Sequence, residues 1–186
     1  MTPHRFEVEN KHLLKDEERK KRQPAEGILA RAAPALDEVC ADLGCGTGYL
    51  SIPFALRCRA LIAVDSQKEM LETLLSSASE LTRMKIFPVR SELPDLPFSG
   101  ACLDRVVLVN VFHEMADREK LASEVERTLR GGGKLSLVDF QKKPTGFGPP
   151  VEERIEESDI PGFFPSMKVE GKWSFDSFYQ FELVRL

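Results

Sequence analysis

Seven residues, Asp42-Leu43-Gly44-Cys45-Gly46-Thr47-Gly48, stand between a short apolar run and a helix-forming stretch. Glycine there lets the backbone turn tightly and approach a ligand where a Cβ would collide. Amides at the start of the following helix offer donors and partial positive charge. About twenty residues on, at the end of the next apolar run, Asp65 is placed to accept hydrogen bonds from ribose hydroxyls. A glycine turn, an exposed helix start and an acid ending the next strand describe a nucleoside site. The segment departs from the dinucleotide fingerprint G-x-G-x-x-G, whose third glycine permits close helix packing, and it lacks the G-K-[ST] ending of a nucleoside triphosphate loop. A purely structural strand–turn–helix is the plainer alternative.

The elements that position these residues alternate between strand and helix. Strands are expected at Val39–Leu43, at 60–64 ending on Asp65, at 85–89, at Leu103–Val109 and at 135–139. Each is a short apolar run bounded by turn residues, as buried parallel strands are. Helices are expected at residues 49–56 and after Ser66, where Ser66 and Glu69 make a capping box ahead of a Met70, Leu74, Ala78 stripe. A further helix follows Asp117, with Leu121, Val125 and Leu129 on one face, and is closed by Gly131-Gly132-Gly133. Pro24 opens a helix carrying Ile28, Leu29 and Ala32. Residues 167–173 and 178–185 suggest an antiparallel hairpin. The sum is an α/β fold with right-handed crossovers between parallel strands.

Composition agrees with one such domain. The 186 residues are 42% hydrophobic and 30% charged, the balance of a globular chain able to bury a core. A net charge of −4 supplies no general field for a nucleic-acid backbone. Cys40, Cys45, Cys58 and Cys102 form no C-x-x-C pair and have no histidine at ligand spacing, so neither a disulfide framework nor a metal site is expected. No apolar run approaches the length of a membrane span, and the first residues lack the apolar core of a signal peptide. A cytoplasmic protein is expected. Residues 11–22 hold Lys15, Arg19, Lys20, Lys21 and Arg22 among acids and are expected to be a solvated helical face.

Residues 42–48 resemble the first motif of class I S-adenosylmethionine-dependent methyltransferases. Val64-Asp65-Ser66 with Met70-Leu71 is similar to the second motif, and Asp95-Leu96-Pro97-Phe98 to the "LPF" loop. Leu103-Asp104-Arg105-Val106 is similar to the fourth strand. The segment Leu129-Arg130-Gly131-Gly132-Gly133-Lys134-Leu135 resembles the turn before strand five, with Arg130-Gly131 in place of Lys/Arg-Pro. The likeness covers roughly residues 36–142. It is strongest to the group around ubiquinone and menaquinone C-methyltransferases, and Phe112-His113-Glu114 and Gly148-Pro149-Pro150 resemble small bacterial and archaeal members. It implies a Rossmann-like, doubly wound, mostly parallel seven-stranded sheet of order 3-2-1-4-5-7-6. An N-terminal helical lid (1–35) would precede the S-adenosylmethionine-binding domain (36–186).

The resemblance also implies roles. Gly44, Cys45, Gly46 and Gly48 would pass beneath the methionine part of the cofactor, with Asp42 beside its ammonium. Asp65 would hold the ribose diol, and Ser66 and Met70 would flank the adenine. Ser91-Glu92-Leu93 stands where the family has a Gly-Asp-Ala-like triplet whose acid binds the adenine amine. Asn110 would face the methyl sulfonium. His113, a few residues past strand four, is a candidate general base; its alternative is to pack against or cap the next helix. Phe6, Phe147, Phe163, Phe164 and Trp173 are candidates for an aromatic acceptor pocket, and residues 146–150 for a short loop bending over it.

The expected activity is methyl transfer to a small, apolar or aromatic acceptor, without metal and by a single chain or a homodimer. Three rivals stay open. They are a non-catalytic S-adenosylmethionine-binding module, an RNA or protein methyltransferase docking through Lys15 to Arg22, and a nicotinamide-dependent oxidoreductase.

Overall fold

A computed structural model describes residues 17–186; Phe6, Lys15 and about half of the expected 1–35 lid lie outside the described residues. Seven strands make one sheet: β1 (Val39–Leu43), β2 (Ala60–Asp65), β3 (Ile86–Arg90), β4 (Leu103–Val109), β5 (Leu129–Phe140), β6 (Met167–Ser174) and β7 (Phe178–Arg185). Their order is β3-β2-β1-β4-β5-β7-β6, as expected. The first five pair in parallel, while β7 runs antiparallel to both β5 and β6.

Side-chain alternation divides the core between the two sheet faces. In β4, Val106 and Leu108 join Phe112, Leu121, Val125, Phe164 and Tyr179 on one face. Val107 and Val109 join Ile28, Leu29, Phe54, Leu71 and Leu74 on the other. Covered on both sides, β1 and β4 are buried almost throughout, which is why they read as apolar runs rather than alternating ones.

The helices are α1 (Glu17–Arg22), α2 (Ala25–Ala32), α3 (Ser51–Ala55), α4 (Lys68–Ser77), α5 (Glu80–Arg83) and α6 (Arg118–Thr128). In α2 the expected residues Ile28, Leu29 and Ala32 are buried, the first two almost completely. Burial of two such side chains contributes on the order of 3–6 kcal/mol. Arg31 adds a 2.6 Å hydrogen bond to Gln180 on β7, whose amide donates to the Ile28 carbonyl. This anchorage fixes the segment before α2 over the carboxyl ends of the strands; truncating Leu29 to alanine would loosen it.

Three local expectations fail. The helix expected at 49–56 is only Ser51–Ala55. Helix α4 starts after Gln67 with no side-chain cap, so Ser66 and Glu69 form no capping box; Asp65 Oδ1 instead accepts the Gln67 amide at 2.9 Å. Helix α6 is capped by Asp117 as expected, but it ends at Thr128, and Gly131, Gly132 and Gly133 lie within β5. Strand pairing of Leu129 with Leu103 captures the chain before the glycines are reached.

Candidate active site

The strands' carboxyl ends open into a cavity of about 880 Å³. At one end the 42–48 loop passes under it. Gly44, Gly46 and Gly48 all have positive φ, the left-handed region that glycine enters without strain. The reason for two of them differs from the expectation. A Cβ on Gly44 would lie 2.4 Å from Val111, and one on Gly48 2.7 Å from Leu74, so these glycines admit the protein's own side chains. Four of the loop amides are engaged within the protein. Those of Gly44 and Cys45 donate to the Val64 carbonyl, that of Gly46 to Asp65 Oδ2 at 2.9 Å, and that of Gly48 to the Cys45 carbonyl.

Two carboxylates face this end. Asp42 is buried and accepts from Ser51 Oγ at 2.5 Å. Burial pushes its carboxyl up to about 6; Asp65 adds to the rise, while the Ser51 bond and the Arg19 charge oppose it. Asp65, ending β2, clasps the loop through Gly46 and the start of α4 through Gln67. Cys45 also lines the cavity, and burial lifts its thiol well above the ordinary range, with Asp42 and Asp65 adding to the effect. An unionised thiol is a poor nucleophile.

The other expected residues divide. Met70, Glu92, Leu93 and Asn110 line the cavity. Ser66 and Ser91 do not: Gln67 takes the place expected of Ser66, and Ser91 Oγ donates to the Asp95 carbonyl. Of the described aromatics proposed for an acceptor pocket, only Phe147 lines the cavity. Phe163 and Phe164 pack on Phe112 in the core, and Trp173 lies on the outermost strand.

A lid at 1–35 and a loop at 146–150 over the site were expected; the side-chain contacts that build the roof were not. Arg19, Arg22 and Gln23 line the cavity, so the basic run is not simply a solvated face. Asn110, held at φ 59°, exchanges two amide hydrogen bonds with Gln23 at 3.0 and 2.7 Å. Tyr49 Oη donates to the Gln23 carbonyl and accepts the Ala25 amide, while the Arg19 guanidinium stacks on its ring at 4.8 Å. Opposite, the Arg22 guanidinium stacks on Phe147 at 3.9 Å. The loop carrying Phe147 is held from behind by buried Arg154. Its guanidinium donates to the carbonyls of Gln141, Lys143, Phe147 and Pro149 and to Thr145 Oγ1.

His113, buried on a single 3-10 turn after β4, lines the far end. Its Nδ1 lies 2.6 Å from Asp139 Oδ1, and Asp139 Oδ2 accepts the His113 amide at 3.0 Å. A carboxylate only accepts, so Nδ1 carries the proton. Burial acts to lower the imidazole's affinity for a second proton; Asp139, then Glu114 and Glu153, outweigh it, and the net shift is upward. Asp139 is the penultimate residue of β5, close to the strand's carboxyl end as Asp65 is at that of β2. An acid at that position was the available signal for its role, but its partner is 26 residues away.

These features join a match to known proteins: the pattern of the methyltransferase domain fits residues 41–137, more than half of the chain. The chain belongs to the methyltransferase domain family. Among relatives, the uncharacterized methyltransferase YcgJ of Bacillus subtilis is 31% identical over 98 residues, 53% of this chain and 39% of that protein. Demethylmenaquinone methyltransferase of Clavibacter sepedonicus is 28% identical over 112 residues, 60% of this chain and 45% of that protein. The chain thus spans about two fifths of the length of the curated relatives it matches. A SAM-dependent methyltransferase of Aquifex aeolicus superposes with a TM-score of 0.88 at 19% identity, covering 98% of this chain and 100% of that one. That methyltransferase fold is the class I arrangement expected from the sequence. Among the described residues of this methyltransferase-family chain, no helix is long and apolar enough to cross a membrane.

Proposed function

We propose that the chain transfers a methyl group from S-adenosylmethionine to a small, apolar or aromatic acceptor. The observation that carries this reading is the continuity of the cavity. One space of about 880 Å³ runs from the Asp42 and Asp65 carboxylates to His113 and Phe147, near the upper end of the range for drug-sized ligands. It is large enough for a nucleoside-bearing amino acid with an acceptor beside it. The residues present fit that cofactor. Thr47 Oγ1 is buried against the cavity without a hydrogen-bond partner, and Asp42 and Asp65 offer anionic oxygens to an ammonium and a diol.

In this reading Asp42 holds the ammonium and Asp65 the ribose, with Met70 and Gln67 beside the adenine and Glu92 and Leu93 closing that end. Asn110 stands at the reacting centre and His113 on the acceptor side. The bound sulfonium supplies an electrophilic methyl, so alignment and exclusion of water account for much of the rate. Roofing of the cavity by Gln23 and Arg22 supports residues 17–24 as the described part of a lid. Placement of Arg19 and Arg22 in the cavity, rather than on an outer face, disfavours a docking strip for RNA. The four free thiols are in keeping with a cytoplasmic setting.

Calorimetric titration tests the reading. S-adenosylmethionine and S-adenosylhomocysteine should bind at micromolar concentration and NADH should not. Asp65→Ala should weaken both by about 2 kcal/mol, roughly 30-fold. Absence of binding by either cofactor form would overturn the proposal.

A further inference from the structure

Resting on the methyltransferase reading, we propose that His113 and Asp139 form a base dyad that selects an aromatic hydroxyl as the acceptor, its oxygen receiving the methyl group. Asp139 binds Nδ1 and fixes the ring further by accepting the His113 amide, so the lone pair of the neutral imidazole lies on Nε2. Nε2 is 3.9 Å from Glu114 Oε1, beyond hydrogen-bond distance. His113 lines the cavity, and with Nδ1 committed, Nε2 is the ring nitrogen available to an acceptor.

The walls define what that acceptor is. Phe140 meets the His113 ring edge-on at 5.6 Å and the Phe147 ring at 6.4 Å, and both line the cavity; Arg22 covers one face of Phe147 and Arg154 lies over Phe140, so what the two rings offer a flat acceptor is an aromatic wall beside His113. Acidity selects the reacting group. A phenol loses its proton near 10 and imidazole holds one to about 6.5, a gap that a hydrogen-bonded transfer spans during methylation. An aliphatic hydroxyl, about as weakly acidic as water, lies too far away. A carboxylic acid is ionised already and needs no base.

In the step, the acceptor O–H bond breaks and its proton passes to His113 Nε2. The O–CH₃ bond forms as the C–S bond breaks, whose electron pair stays on sulfur. The imidazolium so formed faces Asp139 on β5, Glu114 beside it and Glu153 on the 151–153 turn. Arg118 of α6 binds the His113 carbonyl rather than its ring, while the Asp139 charge also reaches Arg154, whose charged form it favours, and Tyr179, whose ionisation it opposes. Asp139 is a positioning residue in this scheme; His113 is the catalytic one.

The test uses 4-nitrophenol, whose phenolate is coloured, added to protein saturated with S-adenosylhomocysteine and titrated with acid. The bound probe should stay ionised to a pH about one unit below the free probe, a tenfold shift in its ionisation. His113→Asn retains a donor for Asp139 but removes the base; it should bind S-adenosylhomocysteine within about twofold of the parent while abolishing the shift. Asp139→Asn should reduce the shift, because the ring is no longer held in one tautomer. The proposal is overturned if the bound probe titrates like the free one, if His113→Asn keeps the shift, or if S-adenosylhomocysteine binds and the phenol does not. Failure of S-adenosylhomocysteine itself to bind overturns the underlying reading instead.

Discussion

At the amino ends of the parallel strands, Arg105 is almost wholly buried, with Glu38 gripping its guanidinium at 2.8 and 3.1 Å. Glu182 lies 3.6 Å away and is itself bound by Ser136 and Gln180. At the carboxyl ends, Asp42, Asp65 and the His113–Asp139 pair are just as buried, yet each faces the cavity or holds a group that does. Both regions carry desolvated charge and differ in where the remaining valences point. In the first they return to the protein and join α2, β1, β4, β5 and β7, with Arg105 Nη1 held by charge alone against Glu182. In the second they are directed at space a ligand can fill. Burial of charge alone therefore does not mark a site in this fold.

Substitutions should separate the two ends. Arg105→Met removes the cation from between the buried Glu182 and the half-buried Glu38 carboxylates and should cost about 3–5 kcal/mol in chemical denaturation, while cofactor affinity per folded molecule stays unchanged. A loss of affinity without a loss of stability would erase the distinction.

Asp42→Asn should act in the opposite sense. Its folded-state carboxyl, at about 6, lies above the ordinary 3.8, so the acid form favours folding and that contribution is lost as pH rises from about 4 through 6. The asparagine variant should then be more stable than the parent at pH 7 by up to about 3 kcal/mol, and bind cofactor more weakly. Thermal melts at pH 4 and pH 7 check this; an equal difference at both would show that Asp42 does not titrate as described. The smallest effect is expected at the roof. Tyr49→Phe deletes the hydroxyl that clasps the Gln23 carbonyl and the Ala25 amide, and should cost about 1 kcal/mol, read most directly as faster amide exchange in residues 23–25.

Short-range pattern made most of the fold legible. Glycine-bounded apolar runs identified β1, β2 and β4, and Asp117 announced α6. The errors came where tertiary pairing overrode a local signal: Ser66 and Glu69 read as a capping box, but Asp65 captured the helix start. The triple glycine read as a helix stop, though Leu129 was already paired with Leu103. The site divides in the same way. Asp42, Asp65 and His113 stand beside recognisable turns. Gln23 and Asp139 owe their places to partners 87 and 26 residues away, and no local spacing encodes such contacts.

The loop carrying Phe147 is shaped almost entirely by one side chain that stands outside the cavity. Because Arg154 grips main-chain oxygens at residues 141, 143, 147 and 149 and only one side-chain hydroxyl, it reads no sequence in the segment it folds. Phe147 and Pro150 can therefore exchange their side chains while the frame that presents them persists; Gly148 cannot, because its φ is +84° and a Cβ there would lie 2.7 Å from Phe140. Scaffold and specificity are separable here. A library randomised at Phe147 and Pro150 over an intact Arg154 would explore new acceptors without refolding the loop for each.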